Sequence, residues 1–202
     1  VRVERGHMHG LINRALQCFV RDTYGQDRWL AVARRAQLDV TEFEAMLHYD
    51  DAVTSNVISA IASEMSLRRS AVLEDIGTYL VSHSNVEALR RLLRFSGVTY
   101  LDFLHSLDDL RARARLALAD LELPELELHD HGQGAFSLQV RHEMKGYSYV
   151  VMGILRTMAD DYGALVFLEH DAPGETAEVI HIQLIEHAYS AGRSFELGAK
   201  SA

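Results

Sequence analysis

The sequence of 202 residues contains one cysteine, two prolines and one tryptophan. A single cysteine, Cys18, excludes an intramolecular disulfide, so the fold must rest on packing rather than covalent staples. Cys18 lies in an apolar helical stretch and reads as a small buried hydrophobe. No run of about 18 apolar residues occurs, which argues against a membrane-spanning helix. The opening VRVERGHMHG lacks the apolar core of a secretion signal, and a cytoplasmic protein is the expectation. Residues 1–7 read as an extension before Met8. Positive charge is also short: 20 Lys and Arg against 29 Asp and Glu leave a formal net charge of −9. That balance argues against a dedicated nucleic-acid binder, because a duplex would be repelled. Arg90, Arg91 and Arg94 together with Arg111, Arg113 and Arg115 make either a local basic patch or a solvated helix face.

Catalytic signatures are missing too. No GxSxG elbow, P-loop or GxGxxG occurs, and no HExxH helix accompanies the histidines. His129-Asp130-His131 has two imidazoles beside glycines, which is weak evidence for a metal and reads as a solvated turn. His181 and His187 are six apart and would share one side of a strand. These absences point to a binding or sensing module, with no enzyme activity expected.

What is present is helical spacing, then alternation. With 48% hydrophobic residues the chain can build one sizeable core or two smaller ones. MHGLINRALQCFVRDTYG spaces Leu11, Ile12, Ala15, Leu16, Phe19 and Val20 as one helix from Met8, ended at Gly25. Further helices are expected over 27–39, 56–66, 69–81 and 86–96, with Asn56 and Ser66 as N-caps. FLHSLDDLRARAR (103–115) reads as one helix capped by Thr99. Leu104, Leu107 and Arg111 lie three and four apart on one face, so a charge joins an apolar stripe. Near Pro124 the pattern changes. LPELELHDHGQGAFSLQVRH predicts a β-hairpin turning at HDHGQG. YSYVVMGILRTMADDYG predicts an amphipathic helix, and ALVFLEHD and EVIHIQLIEH flank PGE as a second hairpin. The expected class is α+β, with an N-terminal helical subdomain (about 8–120) packed on a C-terminal subdomain with an antiparallel sheet (about 121–190). A single domain over 8–186 is expected, with 191–202 as a tail.

In order and spacing these segments resemble the heme-nitric oxide/oxygen binding (H-NOX) family. The resemblance is carried by MHGLINRALQCFVRDTYG followed by Trp29 and AQLD, by HYDDAVTSNVISAIAS, FLHSLDDL and LELPELEL, and by YVVMGILRTMADDYG. It runs from Met8 to about Glu186. It implies the family's fold, a helical and a mixed subdomain clasping heme, and it implies detection of nitric oxide. The implied partner is a signalling protein, usually a histidine kinase or a cyclic-dinucleotide enzyme in bacteria, with no nucleic acid and no membrane.

The family's FLxxLDxL is followed by the histidine that ligates iron, and here that position is Arg111. A guanidinium is protonated at ordinary pH and offers no lone pair to a metal. The family's Tyr-x-Ser-x-Arg motif for the heme propionates falls on Val140, His142 and Met144. The resemblance leaves other ligands open. His9 is on the helix whose family counterpart covers the distal face, beside Leu11 and Ile12. His142 occupies a former clamp position. His105 is offset by about 240° from Arg111 on a helix. Arg111, Arg141 and Lys145 could instead pair with carboxylates, alongside Leu104, Leu107 and Pro124. The distal tyrosine of oxygen-binding members falls on Val150, with Tyr149 adjacent, which favours nitric oxide over oxygen. Two readings follow: a heme or tetrapyrrole sensor with non-standard iron ligation, or a heme-free domain serving as an interaction or small-molecule module.

Overall fold

A computed structural model describes residues 7–83, 87–95, 97–117, 123–171 and 177–193. The described residues form two compact units that divide inside one helix, after Ile76.

The first unit opens with β1 (His7–His9), not with a helix at Met8. The strand pairs antiparallel with β2 (His48–Asp50), placing His9 opposite His48. Helix α1 (Gly10–Tyr24) starts directly after it. Gly10 is required there, because a Cβ would lie 2.1 Å from the Glu44 carbonyl oxygen and 2.6 Å from that of Leu47. Three paired residues carry too little alternation to be read from sequence, and the helical spacing of the following segment runs over them. Helix α2 (Gln26–Arg35) buries Trp29, whose indole N–H donates to the Thr41 carbonyl at 2.7 Å. Phe43 packs on Trp29 and Tyr49, and its backbone N–H donates to the buried Gln17 side chain at 2.8 Å. Cys18 is half-buried rather than buried, with Arg21 Nη2 3.7 Å from its sulfur.

Helix α3 (Asp51–Met65) begins five residues before the expected Asn56. The N-cap is Asp50, whose carboxylate accepts from the Ala52 N–H at 2.9 Å, and Asn56 is an exposed mid-helix residue. Ser66 is the left-handed C-cap of α3, at φ 54°, rather than the N-cap of the next helix, α4 (Arg69–Ser82). The acid wins the capping role because a residue at the strand end already has the extended backbone an N-cap needs.

The second unit contains the end of α4, then α5 (Glu87–Arg94), α6 (Tyr100–His105), α7 (Leu110–Ala117), β3 (Glu125–Gly132), β4 (Ala135–Arg141), α8 (Tyr147–Tyr162), β5 (Leu165–His170) and β6 (Glu178–Glu186). The four strands form one antiparallel sheet in the order β3-β4-β6-β5. Both expected hairpins pair as predicted, and the PGE turn lies outside the described residues. The first reversal is Gly132-Gln133-Gly134, all at positive φ, so His129, Asp130 and His131 stand on β3 rather than in the turn. His187 falls beyond β6 and shares no strand with His181. One sheet face is apolar: Leu126, Phe136, Leu138, Val140, Ile180, Ile182 and Leu184 are buried with Leu155 and Met158 of α8 and Phe103, Leu104 and Leu107. Gly77 lets α4 touch α8, since a Cβ would meet the Val150 carbonyl oxygen at 2.0 Å. The architecture is α+β, as the sequence predicts.

Candidate functional site

The segment expected as one helix over 103–115 is two. Thr99 caps α6 in a reciprocal capping box with Asp102, as predicted. The Tyr100 hydroxyl donates to the Leu155 carbonyl of α8, and burial pushes its pKa up. After His105 the chain tightens: Ser106 N–H reaches the Asp102 and Phe103 carbonyls, Leu107 N–H that of Leu104, and Leu110 N–H that of Leu107. The break leaves Asp108 free to accept the Leu128 N–H of β3 at 2.8 Å. Arg113 ties the corner back by donating to the Ser106 carbonyl at 3.0 Å. The spacing of Leu104, Leu107 and Arg111 persists across the break, which is why the sequence could not show it.

Arg111 is the second residue of α7 and is half-buried. Its Nε is buried and has no hydrogen-bond acceptor among the described residues. Leu104, Leu107 and Pro124 are buried in the same unit. The six arginines do not act as one patch: Arg90 and Arg94 turn to Asp161, Arg113 to Ser106, and Arg115 is exposed.

The other candidate residues fall in different settings. His105 is exposed at the end of α6, its ring edge-on to Phe136 with centroids 6.0 Å apart. His142 is half-buried after β4; its Nδ1 accepts the Met144 N–H at 3.0 Å, and its ring lies 4.2 Å from that of Tyr147. Arg141 donates to Glu127 at 2.9 Å and to Gln139 at 2.6 Å. Lys145 is exposed beside Gly146. Val150 is 4% exposed on α8, and the adjacent Tyr149 stacks on His170 with centroids 4.2 Å apart. In the first unit, His9 is on the backbone of β1 and Ile12 is half-buried on α1; the side chains of His9 and Leu11 lie outside the described residues. His129 contacts Glu127 and Gln139, and His131 lies 2.8 Å from the Ser137 hydroxyl. Among the described residues no three His, Cys, Asp or Glu side chains group so as to hold a metal.

Two polar clusters have no counterpart in the sequence reading. Glu178 of β6 accepts from the Gly146 and Ser148 N–H groups at the start of α8, at 2.6 and 3.0 Å, while the Ser148 hydroxyl meets His170 Nε2 at 2.7 Å. At the other end of α8 the buried Asp161 meets Arg90 at 2.5 Å and Arg193 at 3.7 Å. For the second, the one local signal is that Asp161 follows Met158 by three residues and so falls on the buried face of an amphipathic helix, which does not name its partners.

The sequence model of the Haem-NO-binding family matches residues 9–170. The chain belongs to this family. Among curated proteins, the Haem-NO-binding chain is 21% identical over 170 residues to soluble guanylate cyclase gcy-31 of Caenorhabditis elegans, covering 81% of itself and 24% of that protein. It is 20% identical to soluble guanylate cyclase 89Da of Drosophila melanogaster, covering 87% of itself and 27% of the relative. The chain thus spans about a quarter of the length of these cyclases. Solved structures share the fold. The Fe(II) unliganded H-NOX protein from K. algicida superposes with a TM-score of 0.76 at 13% identity, over 89% of this chain and 97% of that one. An H-NOX protein from S. oneidensis in the Fe(II)NO ligation state gives 0.73 at 16% identity, over 88% and 99%.

Against the group that the family's name implies, the described residues fit in part. Arg111 offers a half-buried guanidinium, with its Nε buried, to a propionate but no donor atom to iron at the position where the resemblance places the axial histidine.

Proposed function

We propose that this chain is a cytoplasmic, heme-binding sensor domain that holds heme or a related tetrapyrrole without the usual histidine–iron bond, responds to nitric oxide rather than oxygen, and regulates a signalling protein. The carrying observation is the Arg111 Nε, buried without an acceptor among the described residues. An unsatisfied buried donor costs on the order of 1–3 kcal/mol, and more when it carries charge. A propionate would supply the acceptor through a charge-assisted hydrogen bond. When bound, the heme provides the iron at which a diatomic gas is detected. Arg111 then orients the macrocycle by a carboxylate rather than by the metal. Val150, apolar and buried on α8, offers no hydrogen bond of the kind a distal tyrosine would give to oxygen. A change at the ligand would bias a two-state element of the domain, and a histidine kinase or cyclic-dinucleotide enzyme is the class of receiver.

The second reading, a heme-free interaction module, is favoured by Arg141, whose guanidinium is already engaged by Glu127 and Gln139. Absorption spectra of protein from cells fed a heme precursor separate the two. The sensor reading expects a nitric oxide-responsive Soret band in the parent chain, and a shifted band once Arg111→His supplies an imidazole. A colourless parent that turns red only on Arg111→His would establish the heme-free reading. Loss of the parent's band on His9→Ala would assign ligation to His9 and contradict the role given to Arg111.

A further inference from the structure

The first unit carries an open groove of about 380 Å³ between the last turn of α2 and one flank of α3, lined by Arg35, Ala36, Gln37, Asn56, Ser59 and Ala60. Gln37, in the left-handed region at φ 54°, turns the chain out of α2 at the groove wall. Two alanines leave an apolar strip, and the remaining lining is rich in donors. Arg35 has its Nε 2.6 Å from Glu64, which leaves both terminal nitrogens of an exposed guanidinium for other acceptors.

Arg69, from the first turn of α4, reaches the same flank of α3. Its Nη1 donates to the Ser55 carbonyl at 3.2 Å and to the hydroxyl of the groove residue Ser59 at 3.1 Å. Both acceptors are neutral. Burial lowers the Arg69 pKa, with no carboxylate among the described residues offsetting the loss of hydration. A half-buried cation that donates to neutral groups among the described residues, one of them the groove residue Ser59, can receive an anion there by local attraction against the repulsion of a chain of net charge −9.

We propose that this groove is a binding site for a small molecule bearing an oxyanion, a phosphate monoester or a carboxylate, anchored by Arg69 and Arg35. The amides of Gln37 and Asn56 and the Ser59 hydroxyl complete the polar contacts, and Ala36 and Ala60 take the uncharged part. The volume falls in the range of about 300–1,000 Å³ typical of small-ligand sites, enough for a nucleoside monophosphate. The site lies wholly in the first unit and does not depend on the heme reading. It would give the domain a second chemical input.

The test is calorimetric titration of the full chain with adenosine monophosphate, citrate and inorganic phosphate, with uncharged adenosine as the control. The proposal expects saturable binding of at least one anion with Kd below about 1 mM, and none of adenosine. The monophosphate and citrate arms tell a phosphate ligand from a carboxylate one. Arg69→Gln should weaken binding by about tenfold or more, the size of a lost charge-assisted hydrogen bond. Arg69→Lys should recover part of the affinity. Should Arg69→Gln fail to fold, Arg35→Gln on the exposed side must weaken binding as well. No saturation by any anion up to about 10 mM, or unchanged affinity in a folded Arg69→Gln or Arg35→Gln protein, would overturn it.

Discussion

Asp161 has a fully buried carboxylate, with Arg90 Nε 2.5 Å from one oxygen and Arg193 Nε 3.7 Å from the other. Its backbone carbonyl accepts from Arg94 and from the Arg193 N–H. Arg94 lies 3.9 Å over the Tyr162 ring, so one short run at the end of α8 gathers three arginines. Removing a single member strands a buried charge. Asp161→Ala should therefore cost about 3–5 kcal/mol in urea unfolding, because the buried carboxylate on which Arg90 and Arg193 converge is lost. A loss under about 1 kcal/mol would mean that the pair contributes little. Arg111 stands where the resemblance places the axial histidine, and its guanidinium has no lone pair to offer a metal. Its identity could be read from the sequence once FLHSLDDL was aligned. The burial of its Nε could not, because that depends on how α7 departs from α6.

At the scale of elements, α8 starts on Gly146, which has no side chain to cap it, and β6 supplies the cap from 32 residues away through Glu178. Burial alone would raise the Glu178 pKa. Hydrogen bonds from Ser148 and the Gly146 N–H, with His170 nearby, outweigh that and hold it below the ordinary 4.5. A depressed folded pKa gives stability that is present above 4.5 and lost as pH falls through the lowered value. The melting-temperature gap between the parent and Glu178→Gln should therefore narrow from about pH 6 to about pH 3. A gap independent of pH would contradict a charged cap. Gly77 makes a second demand on α8. Ala at this position would press a Cβ against the Val150 backbone, so Gly77→Ala should destabilise by about 1–3 kcal/mol in the same unfolding assay. A neutral result would show that the two helices can part.

The elements also show where sequence reading runs out. Long alternations such as FSLQV and IHIQL gave their strands and facing because period two is unambiguous over several residues. The α6–α7 break was hidden because Ser106–Asp109 keep helical spacing while their bonding turns to i→i+3 and Asp108 is drawn off to Leu128. β1 and β2 are three residues each, too short for any period. Glu178 and Asp161 act through partners 30 to 71 residues distant, which no local pattern encodes.

For the molecule as a whole, an antiparallel sheet beside one long helix and a largely helical first unit agree with membership of the Haem-NO-binding family. No helix among the described residues is long and apolar enough to cross a membrane. The most direct measurement is a Soret-region titration of the intact chain with hemin and, in parallel, with iron-free protoporphyrin IX. If Arg111 holds the ligand by a carboxylate, both bind saturably with similar affinity and both are weakened by Arg111→Gln, by about tenfold for a lost charge-assisted bond. If neither porphyrin binds, or if only hemin binds and Arg111→Gln leaves it unaffected, the proposed role of Arg111 is wrong.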